Sequence, residues 1–445
     1  MDKSILLKYA RQNTPRYTSY PTAPHFHDAI GSDQFSSWLT QLDPGVPGSL
    51  YLHIPYCREM CWYCGCSTRA TTRTEPIDAY CDLLLREIDL VREQVNMRLP
   101  IAHVHFGGGS PTILSADQLG KIMTRLREVF HILPNAEIAI EIDPRLFTQT
   151  MAVDLSRLGF NRASLGVQTF DQGVQAKINR MQCAQTVDDC VEELRAHGID
   201  QISFDLLYGL PGQSVQSCLN TVDTALALRP DRLSVFGYAH VPHMRKHQNL
   251  IKREDLPDGD ERIEQALALA DAITSEGYVP IGIDHYALKT DDMAEQVETG
   301  LLRRNFQGYT TDQASYLIGL GASSISRLPQ GYAQTNANVA EWSRSVEAGE
   351  LAITRGFELS RDDRLRAEII ERLMCDLRVD YNAVAADFAT RMEGPDLSDL
   401  IEDGIIVQSG SQIVIREDYR LLARVVACRF DTRFSTEGAR HSVSV

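Results

Sequence analysis

The stretch Ser49–Ser67, SLYLHIPYCREMCWYCGCS, runs from a β-rich segment straight into four cysteines, Cys57, Cys61, Cys64 and Cys66. Its first seven residues, Ser49 to Pro55, read as a strand. The thiols that follow are spaced C-x3-C-x2-C-x-C and should sit where that strand reaches the mouth of a sheet. Five more runs of the same kind come later: Ile101–Phe106, Ala136–Ile142, Arg162–Val167, Gln201–Leu207 and Asp231–Tyr238. Between them lie Ile77–Val95, Ala116–Phe130, Val187–His197 and Val215–Leu228, which carry apolar residues at helical spacing and are long enough to cross over. Strand, helix, strand, repeated, predicts a parallel sheet and an α/β fold. Periodicity alone leaves an open sheet and a complete or partial barrel as alternatives.

A helix over Glu261–Glu276 and a strand over Tyr278–Ile283 extend this core. Past about Asn338 the texture changes to helical patterns at Asp362–Leu377 and Asn382–Met392, then a hairpin at Gly404–Ile415 turning at Ser409, Gly410 and Ser411. Residues 1–48 carry Pro15, Pro21, Pro24, Pro44 and Pro47 and read as an extended arm with one short helix near Gln34–Leu42. The expected division is an arm at 1–48, a catalytic barrel at 49–337 and a small, mainly helical domain at 338–445.

The 445 residues hold 44 Lys and Arg against 60 Asp and Glu, a formal charge of −16 that opposes loose attraction to nucleic acid or to an anionic membrane. No run of about 18 apolar residues occurs, and Lys8 and Arg11 interrupt the start before a signal-type core develops. A cytoplasmic location is expected, with no nucleic-acid or membrane partner. Ten cysteines are too few for a disulfide scaffold, and four of them fall within ten residues. Such a cluster in a reducing compartment points to metal chemistry. The alternatives are a closed four-thiolate zinc site or an iron-sulfur cluster. One tight loop supplying three thiolates favours the larger group, because zinc modules usually join two separated pairs.

C-x3-C-x2-C after a first strand resembles the signature of radical S-adenosylmethionine (SAM) enzymes. The likeness extends through RYTSYPTA (Arg16–Ala23), YLHIPYC (Tyr51–Cys57), HFGGGSPT (His105–Thr112), EIDP (Glu141–Pro144), SLGVQTF (Ser164–Phe170), FDLLYGLPGQ (Phe204–Gln213), NFQGYTT (Asn305–Thr311), LRVDY (Leu377–Tyr381) and FDTRF (Phe430–Phe434). This ordered set is similar to the oxygen-independent coproporphyrinogen III oxidases, also called coproporphyrinogen dehydrogenases.

The resemblance implies a partial (β/α)6-type parallel barrel with an N-terminal arm and a small C-terminal domain. It implies that Cys57, Cys61 and Cys64 hold three irons of a [4Fe-4S] cluster, with SAM on the fourth. Cys66 is not expected to ligate; a cysteine there accompanies the dehydrogenases, and it is grouped with the catalytic set. For SAM binding, used twice per turnover, the resemblance marks Tyr51, Tyr63, Gly108, Gly109, Ser110, Glu141, Gln168, Arg180, Asp205, Ala239 and Ile325. Phe306 and Gln307 join them from the NFQGYTT segment. Ser110 stands where the family usually has threonine and Tyr63 where phenylalanine is common; hydroxyl and ring are both kept. The glycines of GGGSP, opening a helix, should let backbone groups approach a ligand closely. Glu141, Gln168 and Asp205 fall near the carboxyl ends of three successive strands, which converge on one face of a barrel.

The implied reaction is oxidative decarboxylation of two propionates of coproporphyrinogen III to vinyl groups, giving protoporphyrinogen IX in haem biosynthesis. An electron donor, a terminal acceptor and a monomeric enzyme are expected. The rival is a haem-trafficking relative without dehydrogenase activity, against which Cys66, the RYTSYPTA arm and NFQGYTT weigh. A tetra-anionic substrate needs local cations in a protein of charge −16, and Arg16, Arg69, Arg73, Arg303 and Arg304 are candidates. Cys81, Cys183, Cys190, Cys218, Cys375 and Cys428 are expected to pack in the interior.

Overall fold

A computed structural model describes residues 2–10, 12–95 and 97–434; Arg11 and positions 435–445 of the C-terminal region lie outside it. Six β/α repeats form the framework. Their strands are β1 (Gly48–Ile54), β2 (Pro100–Gly108), β3 (His131–Ile142), β4 (Arg162–Gln168), β5 (Gln201–Tyr208) and β6 (Arg232–Gly237). The helices that follow each are α1 (Glu75–Gln94), α2 (Ala116–Val129), α3 (Gln149–Leu158), α4 (Ala184–Ala196), α5 (Val215–Ala227) and α6 (Gly259–Ser275). Strands β1 to β6 lie side by side in chain order with no reversal, the winding of a partial (β/α)6-type barrel rather than a doubly wound sheet.

Local chemistry explains the boundaries. β1 is buried along its length except at Tyr51, as a central parallel strand must be, with Leu50, Leu52 and Ile54 at most 1% exposed. Each of those side chains contributes about 1.5–3 kcal/mol by leaving water. Capping boxes start α2 (Ser115 with Gln118) and α6 (Asp258 with Glu261), satisfying amides that have no partner inside the helix. Gly159, at φ +93°, ends α3 in the left-handed conformation that costs glycine least.

The chain forms two compact units, each assembled from separated segments. One comprises residues 26–205 and 312–358. In it β1 to β4 pair in parallel, with Tyr51 opposite His105 and Glu141 opposite Ser164. On the other edge Leu317–Leu320 pairs in parallel with β1, and Ile325–Leu328, Gly331–Thr335 and Ile353–Glu358 continue antiparallel. The other unit comprises residues 1–25, 206–311 and 359–445. It contains α5, β6 and α6, the helix Arg361–Cys375, and a three-stranded sheet in the order Arg378–Asp380, Gln412–Ile415, Ile406–Ser409. The expected hairpin forms, and Gly410 at φ +59° makes its turn.

Several sequence expectations change. The arm holds two helices, Lys3–Ala10 and Ser32–Leu39, where one was expected. The helix expected to reach Met392 stops at Asp387, with Ala389 at φ +45° breaking the pattern. No helix among the described residues is long and apolar enough to cross a membrane.

Candidate active site

The cysteines lie in the unit that holds β1, in the loop beyond its end. Tyr56–Cys57 pairs with Arg69–Ala70, closing the loop at its base. Its far side is tied down where Trp62 donates its amide to the Ile178 carbonyl (2.9 Å) and Asn179 Nδ2 donates to the Met60 carbonyl (3.0 Å). None of the ten cysteines is in a disulfide. Cys61 is buried, Cys57 and Cys64 are half-buried, and Cys66 is exposed with its amide donating to Cys64 Sγ at 3.4 Å. Burial first, then the neighbouring Cys64 and Cys61 thiols, push Cys57 up to about 11 against the hydrogen bond from Thr68. Among the described residues no group of three His, Cys, Asp or Glu side chains is already drawn together as for one metal ion.

Two arginines reach Cys61: Arg180, which the resemblance marked for SAM, and Arg145, which nothing in the sequence marked. Arg180 Nη1 lies 3.5 Å and Arg145 Nη2 3.6 Å from its sulfur. Asp143 braces both, through Arg145 Nη2 at 2.6 Å and Arg180 Nη2 at 3.2 Å. Burial alone would raise the Asp143 carboxyl, but the two guanidiniums outweigh it and hold it below its ordinary value. Glu59 also pairs with Arg145 Nη1 at 3.5 Å, so two carboxylates face the two cations, while both guanidiniums still direct N–H donors at the sulfur, which suits a thiolate. Arg180 is 6% exposed, also donates to the Gly166 carbonyl at 2.5 Å, and keeps a buried Nε with no partner.

The glycine triplet is needed for close approach, one residue at a time. A Cβ on Gly107 would stand 2.6 Å from Glu141 Oε1, and one on Gly109 would stand 2.6 Å from both the Tyr56 carbonyl and Thr68 Oγ1. Gly108 has φ +114° and would meet the His53 ring. The Gly108 amide donates to Glu141 Oε2 (3.1 Å), while Glu141 Oε1 lies 3.3 Å from His105 Nε2. Gly109 and Ser110 donate their amides to the Ile54 and Tyr56 carbonyls, locking this turn to the start of the cysteine loop. Ser110 is buried and stands just ahead of a short 3-10 turn, Pro111–Ile113, rather than opening α2 directly as the sequence suggested.

Tyr51 and His53, two residues apart on one face of β1, form a relay. His53 Nε2 lies 2.9 Å from the Ser67 carbonyl, which only accepts, so Nε2 carries the proton. Burial lowers the His53 pKa, the ring is neutral, and Nδ1 accepts from Tyr51 Oη at 3.0 Å. The Tyr51 ring stacks on His105 at 5.9 Å. Period-two spacing in a strand was the signal available for His53; His105 and Asp143 fell inside the HFGGGSPT and EIDP segments without a role assigned to them, and nothing in the sequence marked Arg145.

Gln168 ends β4 with φ +67°, a left-handed conformation that a non-glycine residue holds only where its surroundings impose it. Asp205, on β5, accepts from Ser164 Oγ at 3.4 Å. Glu141, Gln168 and Asp205 therefore stand near the ends of three successive strands, as expected. Tyr63 and Ile325 are half-buried in this same unit. Ala239, Phe306 and Gln307 belong to the other unit. There the Ala239 carbonyl accepts from Gln248 at 3.3 Å, and Phe306 and Gln307 form the turn between Arg303–Asn305 and Gly308–Thr310. Of the cysteines expected inside, Cys183 is exposed as the N-terminal cap of α4 and Cys428 is half-buried. Cys183 stands ahead of the first turn of α4, outside the buried face formed by Val187, Cys190, Val191 and Leu194.

The Radical SAM superfamily family model matches residues 51–225. The "Oxygen-independent coproporphyrinogen III oxidase" of Bradyrhizobium diazoefficiens is 47% identical over 450 residues, covering 100% of both chains. "Coproporphyrinogen III oxidase, anaerobic 1" of Cereibacter sphaeroides is 41% identical, covering 96% of each. Among solved structures, coproporphyrinogen III oxidase (HemN) from Escherichia coli, described as a radical SAM enzyme, superposes with a TM-score of 0.89 at 34% identity, covering 95% of this chain and 100% of that one. Matched over its full length at 47% and 41% identity and superposing on a solved member at a TM-score of 0.89, the chain belongs to the oxygen-independent coproporphyrinogen III oxidases of the radical SAM superfamily.

Proposed function

We propose that this chain carries out the oxygen-independent oxidative decarboxylation of two propionate side chains of coproporphyrinogen III, giving the two vinyl groups of protoporphyrinogen IX. The observation that carries the reading is the full-length 47% identity to an enzyme of that name. The cysteine loop supports it with a donor set suited to an iron-sulfur cluster: three thiols from one loop, two guanidiniums on Cys61, and an Arg180 Nε buried without a hydrogen-bond partner. Cys57, Cys61 and Cys64 would hold the cluster. When bound with SAM, that cluster would supply a 5′-deoxyadenosyl radical able to abstract a β-hydrogen from a propionate, with loss of carbon dioxide releasing one electron to the terminal acceptor.

The protein's own groups hold and orient. Gly108 and Gly109 present backbone where a side chain would intrude, and Glu141, pinned by the Gly108 amide, presents a fixed acceptor for SAM. Gln168, Arg180 and Asp205 offer one amide, one cation and one carboxylate, a set matched to the amino, carboxylate and ribose groups of that cofactor. Tyr51, Tyr63 and Ile325 supply apolar and aromatic surface. Ser110, Ala239, Phe306 and Gln307 complete the binding set, and Cys66 acts without ligating. Arg145 and Arg180 stabilise negative charge on Cys61. In the His53–Tyr51 relay, His53 Nε2 donates its one ring proton to the Ser67 carbonyl while Nδ1 accepts from Tyr51, whose ring stacks against His105. The enzyme works as a cytoplasmic monomer with a separate electron donor and a terminal electron acceptor; reduced thiols suit that compartment.

The test is anaerobic reconstitution with iron and sulfide, followed by assay of 5′-deoxyadenosine and of protoporphyrinogen with coproporphyrinogen present. Both products are expected, and neither with Cys64→Ala. Deoxyadenosine without vinyl product would keep the superfamily and refute the substrate.

A further inference from the structure

The unit formed by residues 1–25, 206–311 and 359–445 buries more cation than its fold requires. Arg304 lies with its guanidinium carbon 4.3 Å over the Tyr309 ring, and its Nη2 donates to the Arg16 carbonyl at 3.3 Å. Its Nε and Nη1 are buried with no hydrogen-bond partner. Arg262 donates Nη1 to the Tyr238 carbonyl (2.8 Å), lies 5.8 Å over the Tyr208 ring, and has a buried Nε without a partner. Two glycines make room for it: a Cβ on Gly209 would stand 2.6 Å from Nη1, and one on Gly237 would stand 3.0 Å from Nη2. Arg424 is 7% exposed, and burial, reinforced by Arg16 and Arg304, brings it down to about 10.

The carboxylate among them is Asp284. It is already committed to His285 Nδ1 at 2.7 Å, and His285, Arg304 and Arg424 overcome its burial to keep it ionised. Asp284, with Glu371 beside Arg304, offsets only part of the charge of four guanidiniums, and the buried Arg304 Nε and Nη1 and Arg262 Nε carry the desolvation cost of donors without hydrogen-bond partners. A fold keeps such an arrangement where an anion completes it. Planar guanidiniums on aromatic faces select flat, two-oxygen anions, which describes a carboxylate. The other candidates from the sequence are spoken for or solvated: Arg303 pairs with Glu368 and Glu371, Arg73 pairs with Glu75, and Arg69 is exposed.

We propose that Arg16, Arg262, Arg304 and Arg424 form a carboxylate-binding site for the propionate groups that the substrate retains through the reaction. This rests on the proposed function, because only a substrate with more carboxylates than it loses can leave two bound. Bound propionates would complete Arg304 Nε and Nη1 and Arg262 Nε, and the same contacts would serve the product.

The experiment titrates coproporphyrin III, the stable oxidised tetracarboxylate, and its tetramethyl ester into the full-length protein, following porphyrin fluorescence. The proteins compared are wild type, Arg16→Gln, Arg304→Gln and Arg304→Lys. Arg16 is exposed, so its replacement tests the site without burdening the fold. Wild type should bind the acid at least about 30-fold more tightly than the ester. The Gln variants should lose about 10- to 100-fold for the acid and nothing for the ester, with Arg304→Lys between. Acid affinity unchanged in both Gln variants would overturn the site, and would leave the function standing if vinyl product still formed. Wild type that binds neither porphyrin and makes no vinyl product would overturn both.

Discussion

Replacing Gly109 by alanine should cost the enzyme its cluster, whereas the same change at Gly65, inside the cysteine motif, should not. A Cβ at Gly109 would stand 2.6 Å from the Tyr56 carbonyl, 2.6 Å from Thr68 Oγ1 and 2.9 Å from the Ile54 carbonyl. Ordinary contact begins at 3.4 Å, so about 0.8 Å must be found, and two of the three obstacles are backbone. The Gly109 and Ser110 amides bind those same carbonyls, so the turn cannot retreat without breaking both hydrogen bonds (2.8 and 2.9 Å). Tyr56 precedes Cys57, and Thr68 touches Cys57 Sγ at 3.3 Å, so the displacement passes to the first thiol. Overpacking of this kind costs about 1–3 kcal/mol, roughly 5- to 150-fold in an equilibrium. At Gly65 a Cβ has nothing within 4 Å and φ is not in the left-handed range. After anaerobic reconstitution, iron and acid-labile sulfide per chain should fall at least about fivefold in Gly109→Ala at limiting iron and stay at the wild-type level in Gly65→Ala. Full iron content in Gly109→Ala, with normal deoxyadenosine formation, would refute the coupling between the glycine turn and the cysteine loop.

Two further outcomes follow from buried charge. Arg145→Gln removes one cationic donor from Cys61 and should lower the cluster's midpoint potential by about 20–60 mV, on the scale of 59 mV per tenfold for one electron; a redox titration followed by EPR that finds no change, or a rise, would count against the brace. Glu87 is buried, accepts from Trp342 Nε1 at 2.9 Å and from the Gly321 amide at 2.6 Å, and is raised by burial to about 7. Because the folded carboxyl titrates above its unfolded counterpart, its contribution is fully present below about pH 4.5 and is lost as pH rises through 7, a swing of about 3 kcal/mol. The melting temperature of wild type relative to Glu87→Gln should therefore fall between pH 5 and pH 8; a difference flat in pH would remove Glu87 from the account.

The parallel core was legible because its signals are local. Each of the six strands begins and ends within a few residues of its apolar run, even though His131–Ile142 starts five residues before the predicted Ala136. The edge strands from Leu317 to Glu358 went unread, since four-residue runs such as LIGL are stabilised by pairing with β1 and carry little pattern of their own. The same holds for Lys3–Ala10, a helix too short to stand without the packing that buries Leu6 and Tyr9. Cys57, Cys61, Cys64 and the strand-end acids were visible as residue types at characteristic spacings. Asp143 and Arg145 were not, because a sulfur-directed guanidinium pair is written in distances across the fold rather than in order along the chain. Divisions at 48 and 337 follow changes in sequence texture, while the compact units are built from segments that sequence order keeps far apart.

That discontinuity has a cost during synthesis. Tyr17 donates to Asp431 at 3.0 Å, so the two ends of the polypeptide share one buried hydrogen bond across 414 positions. At about 5–20 residues per second the first partner waits roughly 20–80 s for the second to leave the ribosome. Throughout that interval Leu6, Tyr9 and Tyr17 have no completed interior to enter, which makes the nascent leading segment a natural client for holdase chaperones.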